Sequence, residues 1–542
     1  MNPVAAPAQA PRSAVLHRGP AWSPAASSLG LGSTPSPKNI LVIQLARLGD
    51  LVQTWPLLAR LRQAYPGARL TLLTDRRLLP LNAVGPKMDE ILGFDFLGLG
   101  SLAPGDWPGA YHQVAKILQD LRARDFDLVF NLNFSRLSLL LTHLLGAAAK
   151  GYLPASGGRD FLREPWLAWI YCQVHSRRFN RFHLTDVFRH LAPEPEAAPR
   201  LPRPATPPRG EPLIALQLAT RHERRTWPLE HFSRLTEYLV SRLQARVLLL
   251  GTKAEHFLGE RLRAALPAAL RERVANLQGS TGLEELAGQL KQAQLLVSGD
   301  TGTLHLAAAL GVPCLALFLG PALCFETGPY GEGHYVLQAE PPCHPCLEVS
   351  SPCPEGVPIC LDMLPPLAVA HCISGLWAQG AAPPLSLPAG SRVYRSGLDN
   401  FGVHYQFLGD EPPRFADLVG QAYRLAGAWL AGGMHEVGGG GQGPVAQASR
   451  LWTLDPFPKP PPPNPDGVTE NISATVGEGL AVLWAALTQG KSVPPEMPEV
   501  AAALRPLLAF QGELQQQGHE ELFDGVKAVF TAQLASWLQN VR

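Results

Sequence analysis

The sequence predicts an α/β protein built from two doubly wound, parallel-sheet units, and three observations carry that expectation. From Lys38 onward, apolar runs of strand length alternate with helical stretches, the pattern of parallel strands covered by helices. The segment LAPEPEAAPRLPRPATPPRGEP, residues 191–212, holds too many prolines to continue a helix or a central strand, and the alternation restarts after it. Each unit also carries a Gly-Asp loop where an apolar run gives way to a helix.

In the first unit, NILVIQ, ARLTLLT and FDLVFNLN read as buried strands, and Leu51 to Ala64 reads as a helix stopped by Pro66-Gly67. In the second, LIALQLA, ARVLLLG, VANLQ and LLVS read as strands, with helices from Pro228, after Glu255, from Gly282 and from Thr303. The expected divisions are a disordered leader over 1–37, an N-terminal Rossmann-like acceptor unit over 38–200, a C-terminal nucleotide-sugar unit over 211–378, and a mainly helical appendage over 379–542. In the appendage, helical patterns lie near 413–432, 474–489 and 497–540, on either side of the flexible GGMHEVGGGGQGP and the polyproline-like DPFPKPPPPNPDG. Asn471-Ile-Ser fits a glycosylation sequon and is read as a chance match.

At 542 residues the chain exceeds one ordinary core. Its net charge of +1 argues against a broad nucleic-acid footprint. No continuous apolar run reaches the roughly 18 residues of a membrane span, so the expectation is a cytoplasmic protein with no transmembrane segment. The excess of arginine over lysine, with abundant Ala, Pro and Gly, hints at a GC-rich bacterial source.

The most informative stretch is LLVSGDTGTLHLAAALGVPCLALF, residues 295–318. Small residues at a strand end allow close backbone approach, and the free N–H groups opening the next helix can hold an anionic oxygen. Thr301 and Thr303 add hydroxyls. The loop lacks the Gly-Lys-Ser/Thr of a phosphate-binding P-loop and the spacing of a dinucleotide fingerprint, so neither NTP hydrolysis nor hydride transfer is supported. Its mate is QLARLGDLVQTWP, Gln44 to Pro56, where Asp50 could accept a proton from a hydroxyl or simply cap the following helix. A third element, LATRHERRTWPLEHF at 218–232, crowds cations before Trp227-Pro228, and positive charge there suits a pyrophosphate leaving group.

LARLGDLVQTWPLLARLRQAYPGARLTLLT, RRTWPLEHFSRL, the 295–318 stretch with its lead-in NLQGSTGLEELAGQLKQAQ, and GPYG together resemble glycosyltransferase family 9, the ADP-heptose:lipopolysaccharide heptosyltransferases, over roughly residues 38–378. The resemblance implies the GT-B architecture, two Rossmann-like domains facing a cleft, with the nucleotide sugar held mainly by the second. It implies an inverting, metal-independent transfer of heptose or a related sugar from an ADP-sugar to a hydroxyl of a lipopolysaccharide-core or other surface-glycan acceptor. By position, Asp50 matches the family's general base. Arg225 stands where the family usually has a diphosphate-contacting Lys. Thr220 lies near its phosphate-binding hydroxyls, and Glu255 matches the acid that contacts the ribose. Asp300, Thr301, Gly302, Thr303 and His305 match the donor-binding loop. Arg for Lys changes the geometry of the charge, and LALFLGPA carries one residue more than the family's Phe-Gly-Pro-Thr.

Two other readings stand beside this one: transfer to a protein acceptor, and a non-catalytic scaffold that keeps the nucleotide-sugar fold. The acceptor is expected to be a lipid-linked glycan at the inner membrane surface, with Arg159, Arg163, Arg177, Arg178 and Arg181 as candidates for a basic face toward phosphorylated lipid. No cofactor is required for the implied chemistry. The cysteines at 343, 346, 353 and 360, spaced C-x2-C-x6-C-x6-C, are compatible with a small tetrahedral structural zinc site.

Overall fold

The computed structural model describes residues 36–95, 107–154, 161–174, 176–193, 211–346, 353, 356–379, 387–431, 474–517 and 519–540. The leader, most of the Pro-rich connector, Arg159, the sequon and both low-complexity segments lie outside the described residues.

Strands β1 (Asn39–Gln44), β2 (Arg69–Asp75), β3 (Glu90–Phe94), β4 (Leu128–Asn131), β5 (Ala148–Pro154) and β6 (Phe161–Arg163) form one sheet in the order β3-β2-β1-β4-β5-β6. All pairs are parallel except β5 with β6. A second sheet holds β7 (Leu213–Gln217), β8 (Arg246–Leu250), β9 (Val274–Asn276), β10 (Leu295–Ser298), β11 (Cys314–Phe318), β12 (Tyr335–Ala339), β13 (Ser391–Leu398) and β14 (Val403–Phe407). Its order is β14-β13-β12-β11-β10-β7-β8-β9. The central strands are apolar on both faces because both faces are covered: Ile40 and Val42 enter one core, Leu41 and Ile43 another.

Strand order reverses between β1 and β4 in the first sheet, and between β10 and β7 in the second. Open parallel sheets bind ligands at the carboxyl ends of strands beside such reversals. The Asp50 loop follows β1, the 218–228 loop follows β7 and the Asp300 loop follows β10, so all three motifs sit at the two switch points.

Ile359–Ala378 has the length and mean composition of a membrane span, but Asp362 and His371 break it as a continuous apolar run. Pro365-Pro366 interrupts it, and Val369, Ala370, Cys372 and Ile373 are buried in the core beneath the second sheet with Leu239 and Leu337. It packs as a core helix.

Residues 391–407, inside the segment expected to be mainly helical, form a hairpin that pairs antiparallel with β12 and extends the second sheet. Beyond it, the helices Phe415–Ala431, Ala474–Gln489, Pro498–Gln517 and Glu520–Asn540 pack together and against the segment 165–190 of the N-terminal half. Tyr423 stands between Trp169 and Phe530, with ring centroids 5.3 and 4.9 Å away. A Cβ on Gly427 would lie 2.5 Å from the Phe182 ring and 2.7 Å from Trp169 Nε1. Gly427→Val should therefore cost about 1–3 kcal/mol by overpacking. The urea midpoint checks this, and an unchanged midpoint would show that the seam is loose.

Charge completes the joint. Asp417 accepts from Arg181 at 3.1 Å and from Arg392 at 3.1 Å, and Arg414 adds a third guanidinium. Burial opposes ionisation of Asp417, yet Arg181 and Arg414 outweigh it and hold the carboxyl far below its usual range. Asp186 accepts from Tyr330 at 2.7 Å and from the Val403 N–H at 3.0 Å. Gly402, at φ +152°, leaves the space that Asp186 fills. The hairpin and the first appendage helix thus tie the N-terminal segment 177–190 to the edge of the second sheet.

Candidate active site

The two Gly-Asp loops meet. A Cβ on Gly49 would stand 2.8 Å from His305 Cδ2, and a Cβ on Gly302 would stand 2.9 Å from the Leu48 side chain. Glycine at both positions lets the N-terminus of helix Leu48–Ala64 rest on the N-terminus of helix Gly302–Ala309. Asp50 occupies the third position of the first of these helices, and its Oδ2 accepts the Arg47 N–H at 3.2 Å. Asp50 thus closes the first turn of a helix whose N-terminus faces the second unit.

Asp300 is nearly buried, and its Oδ2 accepts from Arg225 at 2.6 Å, while His305 Nε2 lies 3.7 Å from Oδ1. Burial alone would raise this carboxyl. The neighbouring His305, the Arg225 charge and the Thr327 hydroxyl outweigh that effect and keep it below the usual carboxylate range. Gly299 permits the arrangement, since a Cβ there would meet Thr220 Cγ2 at 2.8 Å and the Arg225 carbonyl oxygen at 3.2 Å. The structure therefore brings Asp300, His305 and Arg225 into one cluster, with Gly49 against its edge.

The remaining predicted residues have internal bonds. Thr301 caps helix Gly302–Ala309, accepting the Leu304 N–H at 3.2 Å, and shares a hydrogen bond of 2.8 Å with Ser298. Thr303 donates to Gln217 Oε1 at 3.0 Å, joining the ends of β7 and β10. Thr220 donates to the His222 carbonyl at 2.8 Å, which folds the arginine-rich loop. Glu255 lies apart from this cluster, after β8, where it accepts the Thr252 N–H at 2.8 Å.

Two elements of the site take roles that no sequence signal pointed to. Arg177 donates to Glu326 at 2.6 Å, to the Pro321 carbonyl at 2.7 Å and to the Cys346 carbonyl at 3.1 Å, and Glu326 also accepts from Asn180. Glu326 precedes the Thr327 that bonds Asp300, so a residue of the N-terminal half braces the loop beneath the cluster. This corrects the expected basic face. Arg177 and Arg181 point into internal ion pairs, Arg178 pairs with Glu499 at 2.8 Å, Arg159 lies outside the described residues, and of Arg163 only the backbone, in β6, is described.

His183 is the second. Its Nδ1 accepts the Thr185 N–H at 3.1 Å, so the ring proton belongs on Nε2, 2.8 Å from the Gly328 carbonyl oxygen. Burial, helped by the proximity of His305, pushes its pKa down to about 3; burial pushes His334 down to about 4. Below the ordinary value of about 6.5, the unfolded chain binds protons at these rings while the folded one does not. Stability should be fully present above that pH and fall as pH drops toward 4, by about 1.4 kcal/mol per pH unit for each ring. Urea midpoints at pH 7, 6 and 5 test this; equal midpoints would refute it.

Two Rossmann-like sheets with opposed switch points define the GT-B class of nucleotide-sugar enzymes. Residues 114–355 match the sequence model of glycosyltransferase family 9 (heptosyltransferase). The chain is 28% identical over 327 residues to lipopolysaccharide heptosyltransferase 1 of Pseudomonas aeruginosa, covering 57% of this chain and 86% of that protein. A stretch of 106 residues, 20% of this chain and 30% of the relative, is 37% identical to lipooligosaccharide heptosyltransferase 2 of Haemophilus influenzae. Among solved structures, the E. coli heptosyltransferase WaaC with ADP is 20% identical, with 62% of this chain and 99% of that one covered and a TM-score of 0.46. The chain carries a glycosyltransferase family 9 domain, and it is a glycosyltransferase.

Proposed function

We propose that the chain is an inverting glycosyltransferase that moves a heptose or a related sugar from an ADP-sugar to a hydroxyl of a lipopolysaccharide-core or other surface-glycan acceptor, at the cytoplasmic face of the inner membrane. One observation carries the reading: the loop bearing Asp50 abuts the Arg225–Asp300–His305 cluster through Gly49 and Gly302, at facing switch points. The printed names of the relatives, heptosyltransferases acting on lipopolysaccharide or lipooligosaccharide, support the choice of sugar and acceptor.

In this mechanism Asp50 takes the proton of the acceptor hydroxyl as its oxygen attacks the anomeric carbon. The bond from that carbon to the diphosphate breaks, and the nucleoside diphosphate leaves with the electron pair. Arg225 and the N–H groups opening helix Gly302–Ala309 stabilise the departing charge, so the step runs without a metal. Asp300 holds Arg225 in place, and Glu255, Thr220, Thr301 and Thr303 shape the donor pocket.

Calorimetric titration of the full chain with ADP, UDP and GDP tests the donor assignment. Selective ADP binding that Asp300→Ala abolishes supports it. A folded sample that binds none of the three overturns it and favours a scaffold.

A further inference from the structure

At the carboxyl ends of the first sheet's central strands, polar side chains form one connected run of hydrogen bonds that begins at Asp50. The Asp50 carbonyl accepts from the Thr54 hydroxyl at 2.9 Å, and Thr54 Oγ1 accepts from Gln44 Nε2 at 3.2 Å. Gln44 Oε1 accepts from Asn133 Nδ2 at 2.8 Å, while Asn133 Oδ1 accepts the Leu45 N–H at 2.7 Å. Asn131 Oδ1 accepts the Asn133 N–H at 3.1 Å, and Asn131 Nδ2 donates to the Tyr152 carbonyl at 3.0 Å. Gln44, Thr54 and Asn131 are buried, so the run ties the ends of β1, β4 and β5 together in a dry setting where such bonds are strong. Gly151 pairs with Asn131 at φ +95°, and a Cβ there would strike the Asn131 carbonyl oxygen, so the approach of β5 to β4 just before Tyr152 requires glycine.

At the far end of this run an aromatic ring faces water. Phe134 is 53% exposed, and Tyr152 meets it edge-on, with ring centroids 5.1 Å apart and planes at 62°. The turn that carries Phe134 is rigid: Ser138 Oγ donates to the Asn133 carbonyl at 2.8 Å, and Ser135 Oγ accepts the Ser138 N–H at 3.2 Å. A lone exposed phenylalanine needs no explanation. A ring held at a fixed tilt, at a strand end beside the β1/β4 switch point and hydrogen-bonded in register with the Asp50 helix, does.

We propose that Phe134, braced by Tyr152, is a stacking platform for a pyranose ring of the acceptor glycan, which it holds in line with Asp50. The inference rests on the glycosyl-transfer reading above and names residues that read the acceptor.

The chemistry fits a sugar. A pyranose has a face of C–H groups that packs on the negative face of an aromatic ring, while its hydroxyls stay at the rim and remain hydrated. The position fits as well: in this reading the donor is held by the loops after β7 and β10, which leaves the strand ends of the first sheet for the acceptor. Both rings stand at the same carboxyl end of that sheet as Asp50. A bound hydroxyl would therefore be positioned against the base by a frame that does not have to reorganise.

The test uses the full chain with a deacylated lipopolysaccharide-core oligosaccharide as soluble acceptor and ADP-heptose as donor. Phe134→Ala should raise KM for the oligosaccharide about tenfold, with kcat and ADP affinity within about twofold of the unaltered protein. Phe134→Trp should restore KM, whereas Phe134→Leu, apolar but without an aromatic face, should behave like Phe134→Ala. Calorimetric titration with the oligosaccharide alone reads the platform apart from the reaction: binding that Phe134→Ala weakens, in a chain that transfers no heptose, supports the platform and refutes the proposed transfer. An unaltered chain that does not bind the oligosaccharide overturns the platform. Equal KM and affinity in Phe134→Ala, or full function in Phe134→Leu, also overturns it. So does a Phe134→Ala chain that keeps oligosaccharide affinity but loses binding to phosphatidylglycerol vesicles, which would make the ring a membrane contact.

Discussion

Asp50→Asn should lower turnover about 10³-fold while leaving ADP affinity within about twofold of the unaltered protein. The two halves of that result follow from different atoms. Asn keeps a side-chain oxygen that can accept the Arg47 N–H, now received by Asp50 Oδ2 at 3.2 Å, so the cap and the seating of helix Leu48–Ala64 survive. Only the negative charge needed to take the acceptor proton is lost. Asp50→Ala removes the cap as well and should add a stability loss of about 1 kcal/mol, visible in the urea midpoint but separable from turnover. Steady-state transfer with an ADP-sugar and a hydroxyl acceptor, run beside calorimetry with ADP, distinguishes the roles. Unimpaired turnover in Asp50→Asn would reduce Asp50 to a helix cap.

That experiment is possible because the catalytic frame is written locally. β1, β7, β8 and β10 are buried on both faces, so each appears in sequence as an unbroken apolar run that ends at small residues where the chain must turn toward the cleft. The glycines beside those ends have a cause the sequence could only suggest: Gly49 and Gly302 are small because the opposite loop occupies their Cβ positions. What lies between distant segments left no such trace. Arg177 and Glu326 are 149 residues apart, and no periodicity links them, so Arg177 looks like one more surface cation until Glu326 is folded against it. Asp417 with its three arginines is equally silent. The β13–β14 hairpin escaped notice for another reason: SRVYRSGL and VHYQF mix charged and apolar residues at an edge, and only pairing with β12 makes them strands.

Removing Arg225 should lower kcat/KM by about 10²–10³-fold, and its dependence on Asp300 can be measured. Arg225 Nη1 and Asp300 Oδ2 are 2.6 Å apart with both side chains largely buried, so each carries a charge the other compensates. If Asp300 acts by aiming Arg225 at the diphosphate, the Arg225→Ala/Asp300→Ala double variant should fall within about threefold of Arg225→Ala alone, far from the product of the two losses. Multiplicative losses would mean that the two residues touch the donor independently. Arg225→Lys should recover only part of the activity, because an ammonium is a single point of charge and cannot span Asp300 and a phosphate as a planar fork does. The pH dependence carries the same signature. The Asp300 carboxyl is held below its ordinary value, so the pair is intact above about pH 4 and is lost only as pH falls through the lowered value. ADP affinity should therefore stay level from pH 8 to about 5. A midpoint near pH 6 in that titration would mean that a group other than Asp300 sets the charge at the donor loop.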